Sequence, residues 1–258
     1  MKMKTLACSV ALLAAISLAL PAGAAEKLVV GTEANGIPIS FLNPKTHELD
    51  GFMLDIARQA AKHAGYEVEF KAMDFSALIP ALRTGKIDLI ATGMYITEPR
   101  KKVIDFTTPV YSYGEGMIVR KEDTKDYTSF KELPGAVVGA QMGTIFIEPL
   151  KQANIFKDVK AYDTLTGIMK DVNAGRIKAG FGDTPSMAYY LSLGEYPNVR
   201  LVKSYKPVLP GSLGLGVRKD EEQQLAKLNE AIATCRATAR LRRCWKSGSL
   251  IKTRGRSP

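Results

Sequence analysis

The chain has 258 residues, with 36 basic and 26 acidic side chains and a formal net charge of +10. Seven of the basic residues follow Ala237 and two lie among the first four residues, which accounts for all but one of the surplus charges. The body of the chain is therefore nearly neutral, which argues against a nucleic-acid partner. The three cysteines and two histidines are widely spaced, so neither a disulfide framework nor a metal site is expected, and no cofactor is predicted.

The first 25 residues have the pattern of a secretory signal peptide. Lys2 and Lys4 precede an apolar run over residues 6–20, which is too short to span a bilayer, and small residues around Ala24 provide a cleavage site. We therefore expect residues 1–25 to be removed and the mature protein to lie in the periplasm.

The segments that follow alternate between strand and helix patterns. The first series predicts strands at 27–32, 66–73 and 87–92, separated by helices at 51–64 and 76–83. The second series predicts strands at 114–120, 136–141, 159–162, 179–182, 201–203 and 213–217, with helices at 129–133, 145–152, 164–174 and 225–233. Such alternation predicts an α/β fold with mostly parallel sheets covered by helices.

Two stretches of the chain resemble each other, which predicts two similar lobes. Residues 81–88 (ALRTGKID) and 172–179 (VNAGRIKA) each read as a helix end, a glycine, a basic residue and the start of a strand. We expect the lobes to be joined by extended segments near Arg120 and Lys206. A ligand would then bind in the cleft between the lobes.

The most informative segment covers residues 85–111 (GKIDLIATGMYITEPRKKVIDFTTPVY). Thr97 is predicted to cap a helix that has Pro99 in its first turn and Arg100 directly after it. The backbone of the Thr92-Gly93 turn and the fork of Arg100 would converge on one place. That arrangement can hold a carboxylate through bidentate, charge-assisted hydrogen bonds.

This segment resembles the ligand-binding segment of the family 3 solute-binding proteins, the periplasmic amino-acid receptors of ABC importers. The family pattern reads G-x-x-D-x-x-x-x-G-x-[ST]-x-[ST]-x-x-R followed by F-[ST]-x-P-Y. It is matched here by Asp88, Gly93, Thr97, Arg100, Phe106, Thr107, Pro109 and Tyr111. The resemblance covers nearly all of residues 27–237.

The resemblance implies a two-lobed periplasmic-binding-protein fold of type II, in which each lobe is a mixed sheet flanked by helices. Residues 26–118 together with 208–237 would form the first lobe, and residues 119–207 the second. It further implies a monomer that captures an amino-acid-like ligand by hinge closure and delivers it to an inner-membrane ABC permease.

The resemblance also assigns the groups that bind the backbone of an amino acid. Arg100 would bind the α-carboxylate and Asp183, just past a strand end, the α-ammonium. Gly143 and Thr144 would add backbone N–H groups and a hydroxyl at the start of the helix predicted from residue 145.

The part of the pocket that contacts the ligand side chain departs from the family pattern. Gly36 and Ile39 stand where the family has a tyrosine and a phenylalanine, whereas Phe75 is kept as a wall. Tyr95 replaces a hydroxyl residue beside Arg100, and Glu33 adds a second carboxylate. These residues favour a cationic ligand, either a basic amino acid or a bulkier derivative such as an opine or ectoine.

The end of the chain does not follow the family. Members usually close with a D-G-T turn and a helix ending in E-K-W, whereas residues 238–258 are basic and contain no acid. Because Trp has the single codon TGG, the shifted frame across Cys244 and Trp245 encodes Leu, and the next shifted codon encodes Glu. We therefore predict that a one-base deletion near codon 237 has produced an aberrant tail. A genuine basic tail for nucleic acid or an anionic membrane is the alternative.

Other functions remain open from the sequence. A periplasmic enzyme of the cyclohexadienyl dehydratase type, on the same fold, would need a proton donor, for which Glu33 is the candidate. A sensor module or a nucleic-acid binder would need segments that the body of the chain does not contain. The sequence therefore favours a binding protein over an enzyme.

Overall fold

The computed structural model describes residues 26–237, so the predicted signal peptide and tail lie outside the described residues. The first part of the chain alternates short strands and helices. In order these are β1 (Glu26–Thr32), β2 (Asn35–Gly36), β3 (Ser40–Leu42), β4 (Leu49–Asp50), α1 (Phe52–His63), β5 (Tyr66–Ala72), α2 (Leu78–Arg83), β6 (Leu89–Ile90), α3 (Glu98–Lys101), β7 (Asp105–Phe106) and β8 (Tyr111–Tyr113).

The second part repeats this plan and then returns to the first. Its elements are β9 (Glu115–Arg120), β10 (Val137–Gln141), α4 (Ile147–Gln152), β11 (Asp158–Tyr162), α5 (Leu165–Asn173), β12 (Ala179–Asp183), α6 (Thr184–Ser192) and β13 (Val199–Leu201). The return segment contains β14 (Gly211–Leu213), β15 (Gly216–Val217) and α7 (Glu222–Ala237). Single turns of 3-10 helix lie at Phe75–Ala77 and Phe130–Glu132.

Two five-stranded mixed sheets organise the described residues. In the first sheet, of order β5-β1-β6-β15-β7, strand β1 runs parallel to both neighbours and β15 runs antiparallel to both of its own. In the second, of order β11-β10-β12-β9-β13, strand β10 runs parallel to both neighbours and β9 antiparallel to both of its own. The predicted α/β fold with two similar lobes is confirmed, and the lobes are named after these sheets.

The two lobes are joined by a ribbon in which β8 pairs antiparallel with β14, with Tyr113 opposite Gly211. The next strand, β9, belongs entirely to the second sheet. Four of its six residues precede the predicted boundary after residue 118, so the second sheet begins earlier in the chain than the sequence indicated. The first crossing between the sheets lies at Gly114.

Helix α1 shows why the first lobe folds as predicted. Its buried residues are spaced at three or four positions and form one apolar face, comprising Met53, Leu54, Ala57, Ala60 and Ala61. This face packs against β5 and the C-terminal helix α7. Burial of that stripe supplies most of the drive for helix formation, because an isolated helix of this length is marginal in water.

One helix was not predicted. Residues 184–192 form α6, although their apolar residues follow no clear 3.6-residue period. The start signal was present in the sequence, since Pro185 stands in the first turn after Asp183 at the N-cap position. Within residues 26–237, no helix is long and apolar enough to cross a membrane.

Candidate functional site

Helix α3 places Arg100 in the cleft as the sequence predicted. The hydroxyl of Thr97 accepts a hydrogen bond from the backbone N–H of Arg100 at 3.4 Å, and Pro99 lies in the first turn. Only 8% of Arg100 is exposed, and its guanidinium carbon lies 5.6 Å from the centre of the Phe75 ring. Phe75 is itself buried beside Arg100.

The guanidinium of Arg100 contacts both lobes. Its Nη1 donates to the carbonyl oxygen of Tyr95 at 2.7 Å, and its Nη2 donates across the cleft to the carbonyl oxygen of Gly143 at 2.9 Å. Burial lowers the pKa of Arg100 to about 10, against the opposing effects of Tyr113 and Asp183. Arg100 therefore stays cationic at neutral pH, and its two terminal nitrogens are each held by a backbone carbonyl oxygen.

Glu33 is a buried carboxylate between the two lobes. Its Oε1 accepts a hydrogen bond from Nε2 of Gln141, which also donates to the carbonyl oxygen of Asp163 at 3.0 Å. Burial raises the pKa of Glu33 to about 7, against the hydrogen bond from Gln141, and the negative charges of Asp183 and Asp74 raise it further. Glu33 thus titrates near neutral pH and becomes more acidic if a cation binds beside it.

Asp183 ends β12 at the N-cap position of α6, yet its side chain caps no helical N–H. The carboxylate is instead directed at the turn of Gly93, where an added Cβ atom would lie 3.3 Å from Oδ2. Burial raises the pKa of Asp183 to about 6, while the Tyr113 hydroxyl and the charge of Arg100 lower it. Arg100, Gly93 and Asp183 are therefore brought together, as the resemblance implied.

Two other predicted site residues, Tyr95 and Thr92, are held by contacts within the protein. Tyr95 is 2% exposed and donates its hydroxyl to the carbonyl oxygen of Tyr113 at 3.0 Å, with its ring edge-on to Phe146. Thr92 is also buried, and its hydroxyl lies 2.9 Å from that of Ser40. Thr92 is thus engaged within the first lobe, whereas Tyr95 also contacts the second lobe through the Phe146 ring.

The segment around Gly143 differs from the prediction. Helix α4 begins at Ile147, and Thr144 donates its hydroxyl to the carbonyl oxygen of Gln141 at 2.6 Å inside a turn. The predicted helix start at residue 145, with Thr144 as its cap, is therefore wrong. Gly143 has φ 78°, and this left-handed conformation turns its carbonyl oxygen toward Arg100.

Several residues of the cleft were missed by sequence reasoning. Gln141 was predicted only as the last residue of a strand. Tyr190 on α6 donates its hydroxyl to the carbonyl oxygen of Asn35 in the other lobe at 2.7 Å. Tyr113 has a buried hydroxyl with no hydrogen-bond partner of normal geometry. The only signal for Tyr113 was its position in the same strand as Tyr111, two residues on and hence on the same face.

Comparison with known proteins shows the family of the chain. The model of the bacterial extracellular solute-binding proteins, family 3, matches residues 28–247. The chain belongs to this family. The match continues past Ala237, the last described residue, into the segment predicted to be frameshifted.

Similar proteins have the same two-lobed architecture. The ABC transporter arginine-binding protein 1 of Escherichia coli (strain K12) is 33% identical over 222 residues, covering 86% of this chain and 90% of its own. An ancestral arginine-binding protein bound to arginine matches with a TM-score of 0.77 and 32% identity over 86% of this chain and 98% of that one. An ancestral amino acid-binding protein, a precursor of cyclohexadienyl dehydratase, has a TM-score of 0.76 and 30% identity over 86% and 96%.

Proposed function

We propose that this protein is the periplasmic solute-binding component of an ABC importer and that its ligand is a cationic amino acid. The observation that carries this proposal is the placement of Arg100 and Asp183 on opposite lobes around the Gly93 turn. Arg100 would bind the α-carboxylate by charge-assisted hydrogen bonds, and Asp183 would accept from the α-ammonium. A zwitterion bound in this way contacts both lobes at once and stabilises their closed arrangement.

The charge balance of the site supports a ligand with a positive side chain. Glu33 and Asp183 provide two carboxylates, while Arg100 provides one buried positive charge. An amino acid with net charge +1 would neutralise this set when both carboxylates are ionised, whereas a neutral amino acid would leave Glu33 unpaired. The Escherichia coli relative is an arginine-binding protein, which is consistent with this choice.

The rest of the proposal follows from the family. Removal of residues 1–25 would release the protein into the periplasm, where the ligand-bound, closed form would be recognised by an inner-membrane permease. The protein would act as a monomer with one ligand per chain. No chemical step on the ligand is proposed.

A dehydratase remains the second candidate because one specific observation favours it. Glu33 has a pKa of about 7, so it can carry a proton into the cleft at neutral pH as a general acid would. The similarity to a precursor of cyclohexadienyl dehydratase points the same way. The presence of Asp183 argues against a dehydratase. By resemblance, Asp183 binds the ligand ammonium, and an enzyme whose substrate lacks an amino group would not need this carboxylate.

The test is a thermal-shift and calorimetric screen of the mature protein against arginine, lysine, histidine, glutamine, ectoine, octopine and prephenate. We expect a cationic amino acid to raise the melting temperature, and Arg100→Ala to abolish that rise. Lys101→Ala is the matched control, because Lys101 is adjacent but exposed and pairs with Glu98. Turnover of prephenate, or no response to any amino acid, would contradict the proposal.

A further inference from the structure

The hydroxyl of Tyr113 lies beside the Gly93 turn, on the ribbon that joins the lobes. An atom added as Cβ to Gly93 would lie 3.1 Å from the Tyr113 hydroxyl and 3.3 Å from Oδ2 of Asp183. The hydroxyl is buried, and the polar group that it faces is the carboxylate of Asp183, although the two atoms do not form a hydrogen bond of normal geometry. If the hydroxyl donates to Asp183, its oxygen still has no donor, so this group is suited to a donor from outside the chain.

The electrostatic surroundings of Tyr113 include the two carboxylates Asp183 and Glu33. Burial, the charge of Asp183, the hydrogen bond to that carboxylate and the charge of Glu33 raise the pKa of Tyr113 well above its usual range, so the hydroxyl stays protonated.

The position of the Tyr113 ring is fixed. Its centre lies 5.0 Å from that of Tyr95, and its backbone carbonyl accepts the Tyr95 hydroxyl at 3.0 Å. Gly211, directly opposite on β14, leaves no room for a side chain because an added Cβ would lie 3.0 Å from the Tyr95 ring. The Tyr113 hydroxyl is thus held in place before any ligand arrives, which lowers the entropic cost of using it.

We propose that Tyr113 is a specificity-determining residue that recognises an unsubstituted α-ammonium group. Its hydroxyl would donate to Asp183 and accept a hydrogen bond from the ammonium, which has three N–H donors to share between the two residues. The ring, Gly93 and Ile39 crowd the space around that nitrogen, since the added Cβ of Gly93 would also lie 3.4 Å from Ile39. N-alkylated derivatives such as opines, which have a bulkier nitrogen with fewer donors, would be rejected.

This inference rests on the proposed function, and calorimetry can separate the two. The mature wild-type protein and Tyr113→Phe would be titrated with L-arginine, Nα-methyl-L-arginine and 5-guanidinopentanoate, which lacks the α-ammonium. We expect Tyr113→Phe to weaken L-arginine binding by about 10- to 150-fold, the range for one lost hydrogen bond to a charged group. Binding of 5-guanidinopentanoate should be equally weak in both proteins.

Tyr127→Phe is the matched control, because it removes a tyrosine hydroxyl that donates to Asp123 in the second lobe. It should leave the affinity for L-arginine within about twofold of the wild type, well below the loss expected for one hydrogen bond. Tyr113→Ala removes the whole ring that crowds the ligand nitrogen. It should therefore bring the affinities for L-arginine and its Nα-methyl derivative closer together. Equal affinity of wild type and Tyr113→Phe for L-arginine would overturn this inference alone. Failure of wild type to bind L-arginine, L-lysine or L-histidine would overturn the proposed function and this inference with it.

Discussion

Nη2 of Arg100, in the first lobe, donates to the carbonyl oxygen of Gly143, in the second lobe, at 2.9 Å. Two further hydrogen bonds cross the cleft, from Gln141 to Glu33 and from Tyr190 to Asn35. Two of these three bonds involve Arg100 or Glu33, the side chains that we propose to contact the ligand. Lobe closure and ligand recognition therefore depend on the same groups.

Gly143 lies so close to the first lobe that the closed arrangement has no room for a side chain at this position. An added Cβ would lie 3.0 Å from the Cα of Ser76. Gly143→Ala should therefore weaken ligand binding by about 5- to 150-fold, which corresponds to about 1–3 kcal/mol of overpacking. Gly135→Ala is the matched control, because Gly135 also has a positive φ but nothing within 4 Å of its added Cβ. Both variants should lose similar stability in thermal melts, and calorimetry should show an affinity loss in Gly143→Ala alone. Equal affinities in the two variants would contradict this account of closure.

The fork of Arg100 predicts that a lysine cannot replace it. Arg100→Lys keeps the positive charge but loses the planar pair of donors, so we expect ligand affinity to fall by tenfold or more, about 1.4 kcal/mol or above. Lys101→Arg, which changes the neighbouring exposed cation, should have no effect in the same titration. Near wild-type affinity in Arg100→Lys would mean that a point charge suffices and that bidentate recognition is absent.

The raised pKa values of Glu33 and Asp183 predict that affinity rises with pH. A cationic ligand requires the ionised carboxylates, and at pH 5.5 only a small fraction of Glu33 is ionised because its pKa is about 7. Affinity should therefore be at least about tenfold higher at pH 8 than at pH 5.5. Calorimetry across this range is the measurement, and Glu33→Gln should bind more weakly but with a shallower pH dependence. A flat profile in the wild type would show that Glu33 does not face the ligand.

The same shifts predict the opposite trend for the stability of the protein without ligand. Both carboxyls bind protons more tightly in the folded chain, at about 7 for Glu33 and about 6 for Asp183, than at their ordinary values of 4.5 and 3.8. The free energy of unfolding should therefore fall as pH rises from about 4 to 7 through these two groups. Urea denaturation at several pH values would measure the free energy of unfolding of wild type and Glu33→Gln. In the variant, this free energy should fall less with rising pH, because the contribution of Glu33 is removed. An unchanged slope in Glu33→Gln would contradict the assignment.

A buried carboxylate holds the two crossing segments of the hinge together. Glu115, just after the first crossing, accepts from the backbone N–H of Val208 at 2.6 Å, that of Leu209 at 3.0 Å and the Tyr205 hydroxyl at 3.0 Å. Glu115→Gln would turn an amide donor toward these donors, so we expect it to lower stability by about 1–3 kcal/mol. Tyr205→Phe removes only one hydrogen bond, so it should lower the melting temperature less than Glu115→Gln does. A melting temperature equal to the wild type in Glu115→Gln would show that the hinge does not depend on this carboxylate.

The sequence predicted the groups whose positions depend on local signals. Thr97, Pro99 and Arg100 form a helix start within four residues, and Asp183 follows directly from a strand end. Glu33 was singled out where the chain departs from the family pattern, and no local rule could supply its buried environment between the lobes. Thr97 and Arg100 lie where the sequence indicated because short-range geometry determines the direction of a helix start.

The features that the sequence did not predict depend on long-range pairing. The orientation of Tyr113 follows from the pairing of β8 with β14, about a hundred residues later in the chain. The Gly143 turn was read as a helix start because a glycine followed by a threonine fits both structures. Tyr95 was expected to line the pocket, but its hydroxyl points back to the Tyr113 carbonyl. None of these arrangements could be derived from periodicity alone.

Arg100 and Glu33 already make hydrogen bonds within the protein, so a ligand that binds to them as proposed must replace those bonds. A ligand carboxylate must compete with the carbonyl oxygens of Tyr95 and Gly143, and a ligand cation must compete with the amide of Gln141. The chain thus contains internal competitors for its own binding groups, and only fully charged ligands outmatch these neutral partners. Neutral mimics of similar shape would gain little from the exchange, so selectivity comes partly from the bonds that a ligand must break.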